Sequence, residues 1–211
     1  MNSRYFKSAA LVLAAFVMCM TSGHSATVGP ELAVMEITVG REKQPRQIII
    51  GLYDDSAPAT VANFKSLANR GFYRGIRFHR IFPNTLVQTG DPLTRVGWFR
   101  PQRPLRAGTG GPGYTVPAEL GTKAVRGSVA MSRLPDKINP TKASNGSQFF
   151  VTLSPEPELD NKYTVFGEIL EGLDILDEIS NLPADSNDFP LPNIVIRSIK
   201  IVPRFAAPTG S

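Results

Sequence analysis

Short β-branched and aromatic runs, each set off by glycine or proline, dominate the chain from Ala33 to Val202. They are Ala33–Val39, Gln47–Tyr53, Gly75–Phe82, Gly127–Met131, Gln148–Leu153, Thr164–Ile169 and Ile194–Val202. Such runs suit a pleated, half-buried surface and are short for helices. Many strands joined by turns must hide their edges, which a closed barrel or a two-sheet sandwich achieves. No internal repeat organises them.

Two segments break the pattern. Ser56 is placed to cap a helix, Pro58 sits in its opening turn, and Val61, Phe64, Leu67 and Ala68 recur on one face before Gly71 stops it. Leu173, Leu176 and Ile179 form a second, shorter stripe. The expected fold is mainly β: a closed antiparallel barrel of about eight strands, with two α-helices capping its open ends. The 211 residues, 42% of them hydrophobic, suffice for one core.

The N-terminus reads differently. Arg4 and Lys7 precede an unbroken run of twelve apolar residues, Ala9–Met20, and then the small polar stretch Thr21–Ala26. This is the layout of a secretory signal peptide, and the run falls short of the roughly twenty residues a membrane span needs. Cleavage after Ser25 or Ala26 would serve. The expected division is a signal peptide over 1–26, one domain over 27–204 and a flexible tail over 205–211. The expected destination is the periplasm, or the secretory pathway or extracellular space if the host is not a Gram-negative bacterium. After cleavage no stable membrane association is expected.

Loss of Arg4 and Lys7 leaves 21 basic residues against 18 acidic ones, so the net charge drops from +5 to +3. These basic residues are scattered, without a dense run or aromatic platform, which argues against a nucleic-acid partner. Cys19, the single cysteine, leaves with the signal; so does His24, and His79 becomes the sole imidazole. Disulfides, cysteine metal sites and multi-histidine metal sites are thereby excluded from the mature chain.

The unusual residues gather in two strands. In Phe78-His79-Arg80-Ile81-Phe82, alternation puts Arg80 between two phenylalanines on one face and turns His79 away, as a structural residue. After the Asn145-Gly146 turn, Gln148 and Phe150 share a face while Phe149 and Val151 point the other way. The Gly/Pro-dense stretch Asp91–Pro117 is long enough to suggest a functional loop. Gly108, Gly110 and Gly113 satisfy G-x-G-x-x-G, but Tyr114-Thr115-Val116-Pro117 follows where a phosphate-binding helix would start. Asn145-Gly146-Ser147 spells a glycosylation sequon.

Five ordered segments carry a family resemblance: Phe78-His79-Arg80-Ile81-Phe82-Pro83, Gln88-Thr89-Gly90-Asp91, Gly108-Thr109-Gly110-Gly111, Asn145-Gly146-Ser147-Gln148-Phe149-Phe150 and Val165-Phe166-Gly167. Together they resemble the cyclophilins, peptidyl-prolyl cis-trans isomerases, over roughly Met35 to Val202. The resemblance implies a cyclophilin-like barrel, proline-containing polypeptides as substrates, no cofactor, no metal and a monomer. It implies that Arg80 is the catalytic arginine and that Gln88 orients it and the substrate backbone. Phe150 and Leu159 would hold the proline ring, with Leu86 where the family usually has methionine and Tyr163 where many members have histidine. Gly108, Ser132 and Gln148 would line the peptide groove.

Departures are specific. Asn84 and Thr85 replace the usual glycine and pocket phenylalanine, which implies a smaller, more polar pocket wall. Arg133 and Leu134 replace asparagine and alanine, and Leu134–Ala143 reads as an insertion. Glu158 stands where the family's tryptophan precedes Leu159. A module that holds proline-containing segments with little turnover is the alternative; Thr85 favours it, and the arginine-glutamine-phenylalanine set favours the enzyme.

Overall fold

A computed structural model of the chain describes residues 26–97 and 106–204. Nearly all of the expected signal peptide and the whole expected tail lie outside the described residues. In chain order the elements are β1 (Glu31–Val39), β2 (Arg46–Leu52), α1 (Pro58–Asn69), β3 (Arg80–Phe82), β4 (Leu86–Thr89), β5 (Thr115–Val116), β6 (Ser128–Met131), β7 (Ser144–Asn145), β8 (Phe149–Thr152), β9 (Val165–Glu171), α2 (Leu173–Ser180) and β10 (Ile194–Pro203). Eight strands form one antiparallel, curled sheet in the order β10-β1-β2-β9-β6-β8-β4-β3, while β5 and β7 pair as a separate ribbon.

The sheet is not the closed barrel expected from the strand pattern. Its edges are β10 and β3, and the gap between them is spanned by irregular chain. There Gly75 and Phe78 donate to the carbonyls of Ile196 and Ile194, and Arg77 forms an isolated bridge with Val195. The reason is local: of the run Gly75–Phe82 only Arg80–Phe82 is strand, because Gly75, at φ +81°, and the tight turn before Ile76 keep the preceding residues off a regular ladder.

Strand parity divides the sheet into two faces. Ala33, Met35 and Ile37 of β1, Ile48, Ile50 and Leu52 of β2, Val129 and Met131 of β6, Phe149 and Val151 of β8 and Phe166 of β9 enter one continuous core. The helices close it from the ends: Val61, Phe64 and Leu67 of α1 and Leu176 and Ile179 of α2 belong to the same cluster. Phe64, Tyr73, Phe149 and Phe166 form its aromatic centre, with ring centroids 5.2–6.3 Å apart. Offset and edge-on packing of this kind adds to what area burial alone supplies.

The start of α1 departs from expectation. Its N-cap is Ala57, without a capping side chain; Ser56 does not cap it. Instead the Glu119 carboxylate, from a distant loop, accepts the N–H groups of Ala59 and Thr60, each at 2.9 Å. A carboxylate there satisfies two orphan donors and opposes the positive end of the helix dipole. Gly71, with φ +68°, does stop the helix as expected.

Candidate functional site

The outer face of the same sheet carries a second, smaller cluster. Tyr53, Ala130, Phe150 and Val165 are buried there with Ala124, and Leu86, Leu159 and Tyr163 pack against them. The cluster follows directly from alternation: Phe150 must face outward once Phe149 and Val151 face the core. Phe150 meets Tyr163 edge-on, with centroids 5.5 Å apart and planes at 85°. A cavity of about 800 Å³ opens above this apolar wall, and Leu86, Phe150, Leu159 and Tyr163 line one side of it. His79, Arg80, Gln88, Gly108 and Ser132 line the polar side.

The polar side is a chain of amides with a single buried acid behind it. Gln88, opposite Phe150 in the β4–β8 register, donates to Gln148 Oε1 at 3.0 Å and to Ser132 Oγ at 3.3 Å. Gln148 donates in turn to the carbonyls of Gly108 and Gly110, at 3.1 and 2.7 Å. Those glycines are held from the other side by Asp91, which is fully buried and accepts the N–H groups of Leu93, Gly108 and Gly110. A Cβ on Gly110 would stand 2.1 Å from Asp91 Oδ1, so glycine is required for this close approach. Gly90 is required likewise, because a Cβ there would lie 2.1 Å from the Ser147 carbonyl. The long loop is thus pinned to the sheet where it borders the cavity. After it comes β5, with no helix at the glycine motif.

Arg80 stands at the rim with its side chain half exposed. Its guanidinium carbon lies 4.7 Å from the centre of the Phe82 ring, and its Nε is 4.0 Å from Asp188 Oδ2. Gln88 is its ladder partner, with its Nε2 donating to Gln148 and Ser132. His79, 4% exposed, lines the same cavity, and among the described residues neither ring nitrogen has a hydrogen-bond partner. Burial, only partly offset by the charge of Asp91, pushes its pKa down to about 4, so at neutral pH the imidazole is uncharged.

Residues 34–201 match the family model described as cyclophilin type peptidyl-prolyl cis-trans isomerase/CLD. The chain belongs to the cyclophilin family. It is 36% identical over 155 residues to peptidyl-prolyl cis-trans isomerase-like 1 of Emericella nidulans, covering 72% of this chain and 87% of that one. It is 40% identical over 131 residues to peptidyl-prolyl cis-trans isomerase B of Bacillus subtilis, covering 62% and 80%. Among solved structures, a cyclophilin type peptidyl-prolyl cis-trans isomerase of Cryptosporidium parvum superposes with a TM-score of 0.67 at 26% identity, covering 82% of this chain and 97% of that one. A second structure of that protein, in the presence of the dipeptide Ala-Pro, gives 0.65 at 26% identity, covering 80% and 98%.

In this cyclophilin, eight of the nine residues singled out in the sequence line the cavity: Arg80, Gln88, Leu86, Phe150, Leu159, Tyr163, Gly108 and Ser132. Gln148 sits one layer behind, buried, and holds the glycine loop. Two readings of the Phe78–Phe82 strand are corrected. Phe78 joins the core, away from Arg80 and Phe82, and His79 borders the same cavity as Arg80. Both follow from the strand beginning only at Arg80, which removes the alternation assumed for its first half.

Thr85 lies in the β3–β4 turn with its hydroxyl donated to the Pro83 carbonyl, and it is not part of the cavity lining. Glu158 is exposed on a single 3-10 turn at the rim, and Leu159 beside it packs on the apolar wall. Arg133 secures the Leu134–Ala143 insertion: it stacks 4.8 Å from the Tyr163 ring centre, donates to Lys162 and Leu134 carbonyls and pairs with Asp136 at 2.5 Å. The Asn145 side chain of the sequon belongs to the amide network: its Nδ2 donates to the Gly110 carbonyl at 3.0 Å and its Oδ1 accepts the N–H groups of Ser147 and Gln148.

Sequence reasoning missed Asp91 as the loop's anchor, Glu119 as a cap and Asp188 beside Arg80. Asp91 had a readable signal, since Asp-Pro after a strand commonly caps a turn. Asp188 had only the turn-forming run Asp185-Ser186-Asn187-Asp188.

Proposed function

We propose that this cyclophilin speeds cis-trans rotation of X-Pro bonds in polypeptides that fold after export, with Arg80 as its catalytic residue. The observation that carries the reading is the placement of the Arg80 guanidinium at the rim of a cavity that has an apolar wall of Leu86, Phe150, Leu159 and Tyr163 and a ledge of amides beside it. An X-Pro amide resists rotation by about 18–20 kcal/mol because its nitrogen lone pair is shared with the carbonyl. A donor aimed at that lone pair favours the twisted state, in which the nitrogen is pyramidal, over both planar isomers. Phe150, Leu86, Leu159 and Tyr163 hold the ring still. Gln88, Ser132 and the Gly108 region engage the backbone on the other side of the bond, with Gln148 fixing that region in place.

The signal-like layout of residues 1–26 supports export, with the periplasm as the destination in a Gram-negative host, and 27–204 as the mature domain. The reading takes the mature chain as a monomer, free of the membrane once cleaved. Exchange NMR on an Ala-Pro peptide tests it: Arg80→Ala is expected to lower kcat/KM at least about a hundredfold, or some 2.7 kcal/mol, in a folded protein. Near-wild-type turnover would remove Arg80 from the mechanism. Peptide binding without turnover in the wild type would make the protein a holder of proline segments.

A further inference from the structure

We propose that Asp188 is the positioning residue of Arg80, which holds the guanidinium by its Nε edge so that the two Nη nitrogens are left for the substrate. This rests on the isomerase reading of the site. Beside the Arg80 guanidinium stand the Phe82 ring, its centre 4.7 Å from the guanidinium carbon, and the Asp188 carboxylate, whose Oδ2 is 4.0 Å from Nε, an ion-pair distance too long for a hydrogen bond. Gln88, the residue that resemblance would assign to this task, gives its Nε2 donors to Gln148 and Ser132, and among the described residues no hydrogen bond joins its Oε1 to the Arg80 guanidinium.

The carboxylate is presented by a turn built independently of it. Asp185 Oδ1 accepts the N–H groups of Asn187 and Phe189 at 2.7 and 3.2 Å, and Asp188 N–H donates to the Asp185 carbonyl at 3.0 Å. Ile81 N–H donates to the Asp188 carbonyl at 2.9 Å, which straps the turn to β3 one residue beyond Arg80. Phe189 is buried next to Asp188, with the Arg77 guanidinium 5.3 Å from its ring centre, and Arg77 is itself tied to Thr94 and Asn193. The Asp188 side chain takes part in none of these bonds. Its φ of +60° lies in the left-handed region, which asparagine adopts as readily as aspartate. Asp188→Asn therefore removes the charge facing Arg80 and keeps the turn.

Both members of the pair are about half exposed, so its effect is modest and screened by salt. The test is exchange NMR on an Ala-Pro peptide, with wild type and Asp188→Asn at low and high salt, together with the Arg80 Nε–H resonance of each protein. The expected result is a fall in kcat of about fivefold with KM nearly unchanged, since a misaimed donor is felt mainly in the twisted state. Added salt should slow the wild type toward the variant and leave the variant unmoved. The Nε–H resonance should shift and broaden in the variant. An unchanged kcat with an unchanged salt response would overturn the proposal, and so would an Arg80 resonance identical in the two proteins. If the wild type itself fails to speed exchange, the isomerase reading falls, and the resonance still decides whether Asp188 holds Arg80.

Discussion

Phe149 and Phe150 are adjacent in β8, and each is almost wholly buried, yet they belong to different parts of the molecule. Phe149 meets Phe64, Tyr73 and Phe166 at the centre of the main core, whereas Phe150 faces Tyr163 and the cavity. The inner face of the sheet is sealed and apolar, and it holds the fold together. The outer face is open and mixes rings with amides, and its two glutamines are satisfied by each other and by the glycine loop. One period of two residues thus separates stability from chemistry, so substitutions on the two faces should fail in different ways.

The sharpest way to break that division is to truncate the two rings in turn. Phe149→Ala should cost about 3–5 kcal/mol, because it leaves a sealed void among packed aromatics. Phe150→Ala should cost about 1.5–3 kcal/mol, since the space it leaves opens into the cavity and the loss is mainly that of burial. Urea unfolding gives both values. Proline-peptide affinity should fall steeply for Phe150→Ala, and should survive in whatever fraction of Phe149→Ala remains folded. Equal stability costs would mean that the two faces share one core.

His79 tests the division from the other direction, because it is buried like a core residue and borders the cavity like a site residue. Its folded pKa of about 4 lies below the ordinary value of 6.5, so between these values the unfolded chain binds the proton more readily. Its contribution to stability is therefore complete above about pH 6.5 and is lost as pH falls toward 4, a change of about 3 kcal/mol if no other group compensates. Carboxylates also titrate near the lower end, so the informative quantity is the difference between wild type and His79→Leu. That difference should change with pH in this window and be flat above it. A flat difference throughout would mean that the imidazole reaches water in the native state.

What the sequence disclosed tracks the range of the interactions involved. The face assignment of Gln148, Phe149, Phe150 and Val151 was legible because alternation is a local rule. Both helical stripes were legible for the same reason. The strand β4 was not, since Leu86–Thr89 commits only Val87 to the core and its identity depends on pairing with β3 and β8. The break in the barrel was hidden because the run Gly75–Phe82 has strand-like composition throughout, while its backbone bonds to β10 are irregular. Of the nine residues that the resemblance names for the site, eight line one cavity. Asp91, whose carboxylate collects N–H groups from as far as residue 110, and Asp188, which meets Arg80 across more than a hundred residues, required the closed loops.

Glu119 gives the smallest effect and the cleanest contrast between what is local and what is not. Local reasoning places Ser56 at the start of α1; the structure gives the task to a carboxylate about sixty residues away, held in place by its own N–H to Thr164 Oγ1 at 2.9 Å. Because α1 supplies Val61, Phe64 and Leu67 to the core, fraying of its first turn is a cost to the inner face alone. Glu119→Ala should destabilise the protein by about 1 kcal/mol, the usual magnitude for a lost cap, while kcat/KM stays at the wild-type value. Ser56→Ala should change stability by only a few tenths of a kcal/mol, as an uninvolved surface position does. Thermal unfolding of the two variants side by side, with exchange NMR on each, checks both statements. A larger loss from Ser56→Ala than from Glu119→Ala would return the cap to the local residue, and a fall in turnover for Glu119→Ala would show that the core helix and the outer groove are coupled through this loop.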